Sequence, residues 1–164
     1  MFQSLRKYFQ KPFQTLNTIY LSREAILANL DLYASLNPGY SIFPVLKSNA
    51  YGHGIREIAS ILSKRNIDYI AVDSYYEALE VHKVNKTPIL LIGYTLPENF
   101  QYMDFSFITP VVSDFNTLQA LGETRKKIRV HLKIDTGMHR QGVYPEEVSE
   151  FLKILRTYPN LILS

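Results

Sequence analysis

The sequence predicts an α/β protein built on parallel strands, and three observations carry that prediction. Apolar runs of strand length alternate with helical stretches almost to the last residue. Turn residues punctuate the changes, as at Asn37-Pro38-Gly39. Chemically rich clusters stand where two of the strands end, at Lys47 and from Asp135 to Arg140. Strands alternating with helices imply βαβ units with right-handed crossovers. About six strands fit either an open doubly wound sheet or a (β/α)8 barrel cut short.

The elements follow in order. Ser22 is placed to cap a helix from Arg23 to about Ser35, with Ile26, Leu27 and Leu30 on one face. Ile42–Leu46 reads as the first buried strand, although Pro44 removes a backbone donor from it and suggests a local bulge. Ile55–Lys64 is helical, with Ile55, Ile58, Ala59 and Leu62 at helical spacing. Tyr69–Val72 is a strand, Tyr75–Val84 a helix and Pro88–Ile92 a strand. Gly93–Phe105 is irregular. Phe107–Val112 is a strand, and Ser113 or Asp114 caps a helix running to about Leu121. Ile128–Ile134 is the clearest strand. Pro145 marks the start of a helix that reaches Arg156, and Leu161–Leu163 begins another strand.

Composition narrows the function. The 164 residues suit one domain or part of a larger one. Apolar residues at 46% and charged residues at 20% are ordinary for a globular protein. The net charge of +3 is mild and scattered, so nucleic acid is not an expected partner. No apolar run approaches the ~20 residues of a membrane span, and Met1–Gln14 lacks the apolar core of a secretory signal. That terminal stretch reads as an extension that docks or frays. The absence of cysteine excludes disulfides and fits a reducing, cytoplasmic setting. His53 and His139 lack the spacing partners of a metal site.

Two stretches carry candidate chemistry. Along the first strand Phe43, Val45 and Lys47 point one way, so Lys47 faces a barrel axis if its neighbours do. A lysine there either extends its amine to solvent or serves as a nucleophile. Gly52 and Gly54 let backbone approach a ligand, and Tyr51 is either a phenol donor to a phosphate or a core aromatic. In the strand Val130-His131-Leu132-Lys133-Ile134-Asp135, the polar residues His131, Lys133 and Asp135 share one face. A parallel strand buried on both faces should be apolar on both. The polar face therefore lines water or a cofactor, or it holds a Lys133–Asp135 ion pair. Arg140 offers a planar fork suited to an anion.

These residues carry a family resemblance. Lys47-Ser48-Asn49-Ala50-Tyr51-Gly52-His53-Gly54 resembles the pyridoxal-phosphate attachment motif of alanine racemases, in which Ala usually follows the lysine. His131-Leu132-Lys133-Ile134-Asp135-Thr136-Gly137-Met138-His139-Arg140 resembles that family's second motif, where Gly usually precedes the arginine. Glu77-Ala78-Leu79 and Pro88-Ile89-Leu90 fall where the family keeps similar segments. The resemblance runs from about Leu16 to Ser164.

The resemblance implies an α/β fold, a partial (β/α)8 TIM-type barrel with helices outside. Residues 1–15 would be an N-terminal extension and residues 16–164 an incomplete barrel domain. The remaining strands and the β-rich C-terminal domain of a full member would be absent. It implies pyridoxal 5'-phosphate as cofactor, bound covalently by Lys47, which would also be a catalytic base. Tyr51 would bind the cofactor phosphate. Arg140 would contact the pyridoxal phenolic oxygen and the substrate carboxylate. The lysine matching Lys133 is often carbamylated in the family. The substrate would be alanine or a similar small amino acid, and a complete member would be a homodimer. The family's second base, a tyrosine from the partner's C-terminal domain, has no counterpart here, so the isolated chain is expected to racemise poorly. The alternatives are a module that binds the cofactor without racemising, and a decarboxylase or aldolase on the same barrel.

Overall fold

The computed structural model describes residues 16–164, and the N-terminal extension lies outside the described residues. Helix α1 (Arg23–Leu36) starts at Ser22, whose Oγ accepts from Ala25 N at 3.1 Å. The five-residue segment Lys47–Tyr51 follows. Next come α2 (Ile55–Leu62), β1 (Ile70–Val72), α3 (Tyr75–Val84) and β2 (Ile89–Leu91). A 3-10 turn (Pro97–Tyr102) leads to β3 (Ile108–Val112), α4 (Phe115–Glu123) and β4 (Ile128–Leu132). A second 3-10 turn (Pro145–Glu147), α5 (Val148–Leu155) and β5 (Leu161–Leu163) complete the chain.

Strand order separates the two architectures left open by the sequence. The sheet runs β1-β2-β3-β4-β5, every pair parallel. A doubly wound sheet reverses its order at a switch point, whereas barrel winding steps one way. This sheet steps one way throughout. Val45 extends the order at the β1 edge through a parallel bridge to Ala71.

That bridge is all that remains of the strand expected over Ile42–Leu46. Ala71 N donates to Pro44 O at 2.9 Å, and Leu46 N donates to Ala71 O at 2.8 Å. In a parallel ladder the next rung would run from residue 44 N to Tyr69 O, and proline has no N–H to give. The proline stops the ladder rather than bulging it. Pro110 acts in the same way inside β3. The rung it would donate faces β4, and β3 pairs with β4 only at Val111–His131 and Val112–Leu132.

The two faces of the sheet differ. Ile70, Val72, Ile89, Leu91, Ile108 and Val130 face the helices and join one core with Leu62, Val81, Leu118 and Phe151. Each such apolar side chain is worth about 1.5–3 kcal/mol when fully buried. The other face carries Tyr69, Ala71, Leu90, Thr109 and His131, as strand alternation requires. There Phe43 meets Tyr69 edge-on at 5.2 Å, and Tyr69 meets His131 edge-on at 5.6 Å. This aromatic line crosses what would be the barrel interior.

Candidate functional site at the C-terminal rim

Because all strands are parallel, their C-terminal ends share one rim, and both candidate segments sit there. The first is the turn after Val45. Ser48, Asn49, Ala50 and Tyr51 all have φ between 53° and 56°, the left-handed region. At roughly 1–2 kcal/mol per L-residue, this turn stores about 4 kcal/mol or more. The sequence led us to expect a glycine turn here, and the left-handed run of non-glycine residues is new.

The strain is held by bonds from all sides. Ala50 N donates to Leu46 O at 2.8 Å, Gly52 N to Ser48 O at 3.1 Å and Gly54 N to Asn49 O at 3.0 Å. Asn49 Oδ1 accepts from Ile55 N at 2.8 Å, at the start of α2. Ala50 is buried, and its carbonyl lies 2.9 Å from His53 Nδ1. Gly52 and Gly54 adopt φ of 89° and 94°, which a side chain would resist. Glu77 supplies the remaining tie, with Oε1 accepting from Ser48 N at 2.6 Å.

Most of the motif therefore shapes backbone, and two side chains are left over. Lys47 is half-buried, and among the described residues it belongs to no ion pair. Tyr51 is 61% exposed, which removes its reading as a core aromatic. A cavity of about 420 Å3 lies behind the turn, lined by Asn49, Arg56, Ser74, Tyr76, Glu77 and Glu80. Lys47 is not among its lining residues.

The second segment follows β4. Asp135 is 7% exposed, and the Lys133–Asp135 ion pair considered from sequence does not form. Its carboxylate turns to backbone instead. Oδ1 accepts from Gly137 N and His139 N, each at 3.0 Å, and Oδ2 from Arg140 N at 2.9 Å. These bonds, led by that of Gly137, pull the Asp135 carboxyl down to about 2. A bridge between Ile134 and Val143 closes the base of the loop. His139 stands in the left-handed region at φ 52°, which accounts for glycine being usual there. Arg140 is exposed, and among the described residues its guanidinium has no carboxylate partner.

His131 stands on β4, ahead of the second segment. Its Nε2 is buried without a hydrogen-bond partner, and burial lowers its basicity below the ordinary histidine value. Its ring packs edge-on against Tyr69 on the interior face. The structure thus joins Lys47 and Tyr51 on one turn and sets Arg140 on the same rim, each a side chain without a carboxylate partner among the described residues.

The family described as "Alanine racemase, N-terminal domain" matches residues 21–164. The chain belongs to that family. An alanine racemase of Haemophilus influenzae is 35% identical over 148 residues, covering 88% of this chain and 41% of the relative. A serine/alanine racemase of Enterococcus gallinarum is 36% identical over 127 residues, covering 76% of this chain and 18% of the relative. The alanine racemase structure from Clostridium difficile 630 superposes with a TM-score of 0.78 at 34% identity, covering 86% of this chain and 39% of its own. The chain spans about two fifths, or less, of the length of these relatives. Its parallel sheet is accordingly part of a (β/α)8 barrel. Among the described residues no helix is long and apolar enough to cross a membrane.

Sequence reasoning placed both segments and named Asp135 and Glu77, but missed that their carboxylates hold the backbone of the two turns. Ser74-x-x-Glu77 is a legible capping box, and the box is present: Ser74 Oγ accepts from Glu77 N, and the Glu77 side chain accepts in return. That motif does not reveal the second grip on Ser48.

Proposed function

We propose that this chain supplies the lysine-bearing part of a pyridoxal-phosphate-dependent amino-acid racemase, acting on alanine or a similar small amino acid. Residues 1–15 are an extension, and residues 16–164 form the first part of the barrel domain. One observation carries the proposal: a half-buried lysine with no carboxylate partner among the described residues, set on a strained turn at the functional rim of a racemase-family barrel. The donor set fits the cofactor. Lys47 offers an amine for an aldehyde, Tyr51 a phenol for a phosphate, and Arg140 a guanidinium for a phenolic oxygen or carboxylate.

In this reading Lys47 would hold the cofactor covalently through Nζ, and the Tyr51 hydroxyl would donate to its phosphate. The bound cofactor supplies a sink for the electrons of the substrate α-C–H bond. Lys47 Nζ, once released from the cofactor by the incoming substrate amine, would take or return the α-proton on one face, and Arg140 would orient the carboxylate. A base for the other face is not among these residues. A polypeptide segment beyond these residues would supply it, as the resemblance to the full homodimeric family member implies. The absence of cysteine supports a cytoplasmic setting.

The test is direct. Pyridoxal phosphate added to the folded full chain gives the visible absorbance of a lysine-bound pyridoxal, and Lys47→Ala removes it. L-alanine then yields little or no D-alanine from the chain by itself. A folded sample without Lys47-dependent absorbance sinks the proposal. Ready racemisation overturns the need for a second base. Decarboxylated product assigns the barrel to the other reaction class.

A further inference from the structure

Glu77 does more than close a capping box. Its Oε2 accepts from Asp73 N at 2.9 Å and Ser74 N at 3.2 Å, which ties the carboxylate to the turn between β1 and α3. Its Oε1 reaches across to the neighbouring βα unit and accepts from Ser48 N at 2.6 Å. One half-buried carboxylate, 29 positions along the chain from Ser48, therefore joins two turns. Ser48 is the first left-handed residue after Lys47. Its N–H belongs to the peptide group that also contains the Lys47 carbonyl. Holding that N–H fixes the plane of the peptide and with it the direction in which the Lys47 side chain leaves the backbone.

We propose that Glu77 is the positioning residue for Lys47: by holding the Ser48 N–H it keeps the turn left-handed and aims the amine into the barrel mouth. The inference rests on the cofactor role given to Lys47 above, and it adds the residue that holds that lysine in place. Four consecutive left-handed residues relax unless their surroundings over-determine them. Ala50 N to Leu46 O and Ile55 N to Asn49 Oδ1 tie the turn to its chain neighbours, while bonds such as Gly52 N to Ser48 O lie within the turn and move with it. Glu77 is anchored elsewhere, on β1 and α3, and so supplies a fixed reference. A charged acceptor also makes the stronger bond, since hydrogen bonds to carboxylates are roughly twice as strong as neutral ones.

The experiment compares Glu77→Gln with Ser74→Ala on the full chain. Ser74→Ala removes the other half of the capping box and leaves the Ser48 bond in place. Hydrogen exchange at the Ser48–Tyr51 amides reads the grip without cofactor. Competitive acetylation of the lysines reads the setting of the amine. Borohydride reduction after pyridoxal phosphate, followed by peptide mass mapping, reads covalent capture at Lys47. Glu77→Gln is expected to speed exchange at Ser48 at least about tenfold while β1 stays protected. It is also expected to shift Lys47 acetylation and cut the Lys47 adduct by a similar factor, and Ser74→Ala leaves all three as in the native chain. Unchanged Ser48 exchange and Lys47 acetylation in Glu77→Gln overturn the inference. Equal effects from Ser74→Ala overturn it too, since capping alone then explains them. If the native chain forms no Lys47 adduct while Glu77→Gln still frees the Ser48 amide and shifts Lys47 acetylation, the cofactor role fails and the positioning stands.

Discussion

The Lys47 turn and the Arg140 turn share one rim, and each is gripped by a single carboxylate accepting from three backbone N–H groups. Glu77 takes Ser48, Asp73 and Ser74, and Asp135 takes Gly137, His139 and Arg140. The carboxylates come from different places. Asp135 holds its own loop, within five residues. Glu77 holds a loop 29 residues away. The Arg140 turn is therefore a local structure that needs little besides β4 to form. The Lys47 turn is a tertiary structure that exists only once α3 has packed beside it.

The largest expected effect tests how self-contained the Arg140 turn is. Gly142 has φ of 137°, and a Cβ there would stand 2.6 Å from Asp135 N. Gly142→Ala should cost about 3 kcal/mol in denaturant unfolding. Its amide-exchange changes should stay within residues 134–143, and changes reaching Ser48–Tyr51 would show that the two turns are coupled.

Acid gives a smaller, reversible test. The Asp135 carboxyl is depressed from the ordinary value near 3.9 to about 2. Its contribution to the loop is complete above pH ~3.9 and fades as pH falls through about 2, because the unfolded chain binds the proton first. The amide resonances of Gly137, His139 and Arg140 should report one shared midpoint near that lower value. A midpoint at the ordinary carboxylate value would deny the grip. Asp135→Asn should abolish the titration.

The smallest effect concerns His139. Replacing a left-handed residue by glycine removes strain of roughly 1 kcal/mol and adds some unfolded-state entropy. His139→Gly should raise stability by about 0.5 kcal/mol, read as a shift in the denaturation midpoint. A loss of stability would mean that the ring makes contacts worth more than the strain.

The same contrast explains what could be read from the chain. Local signals spoke clearly. Ser22 and Asp114 cap their helices as their residue types predict, and α3 occupies Tyr75–Val84 as expected. The alternation of His131 and Lys133 with Leu132 was legible because strand geometry has a period of two. The apolar run Ile42–Leu46 misled because one missing N–H at Pro44 outweighs four apolar neighbours in a ladder. Pairing of Asp135 with Lys133 stood among the alternatives because a shared face was visible in the sequence, whereas the N–H groups of the following turn were not. Glu77 holding Ser48 joins residues from two different βα units, and no periodicity encodes that.

The one-way order of the strands has a consequence for how the molecule is made. Each strand pairs with the one before it in sequence. A nascent chain leaving the ribosome can therefore add the rungs from β1 to β5 as each strand emerges. On that schedule α3 arrives early and locks the lysine in place before the arginine has been synthesised.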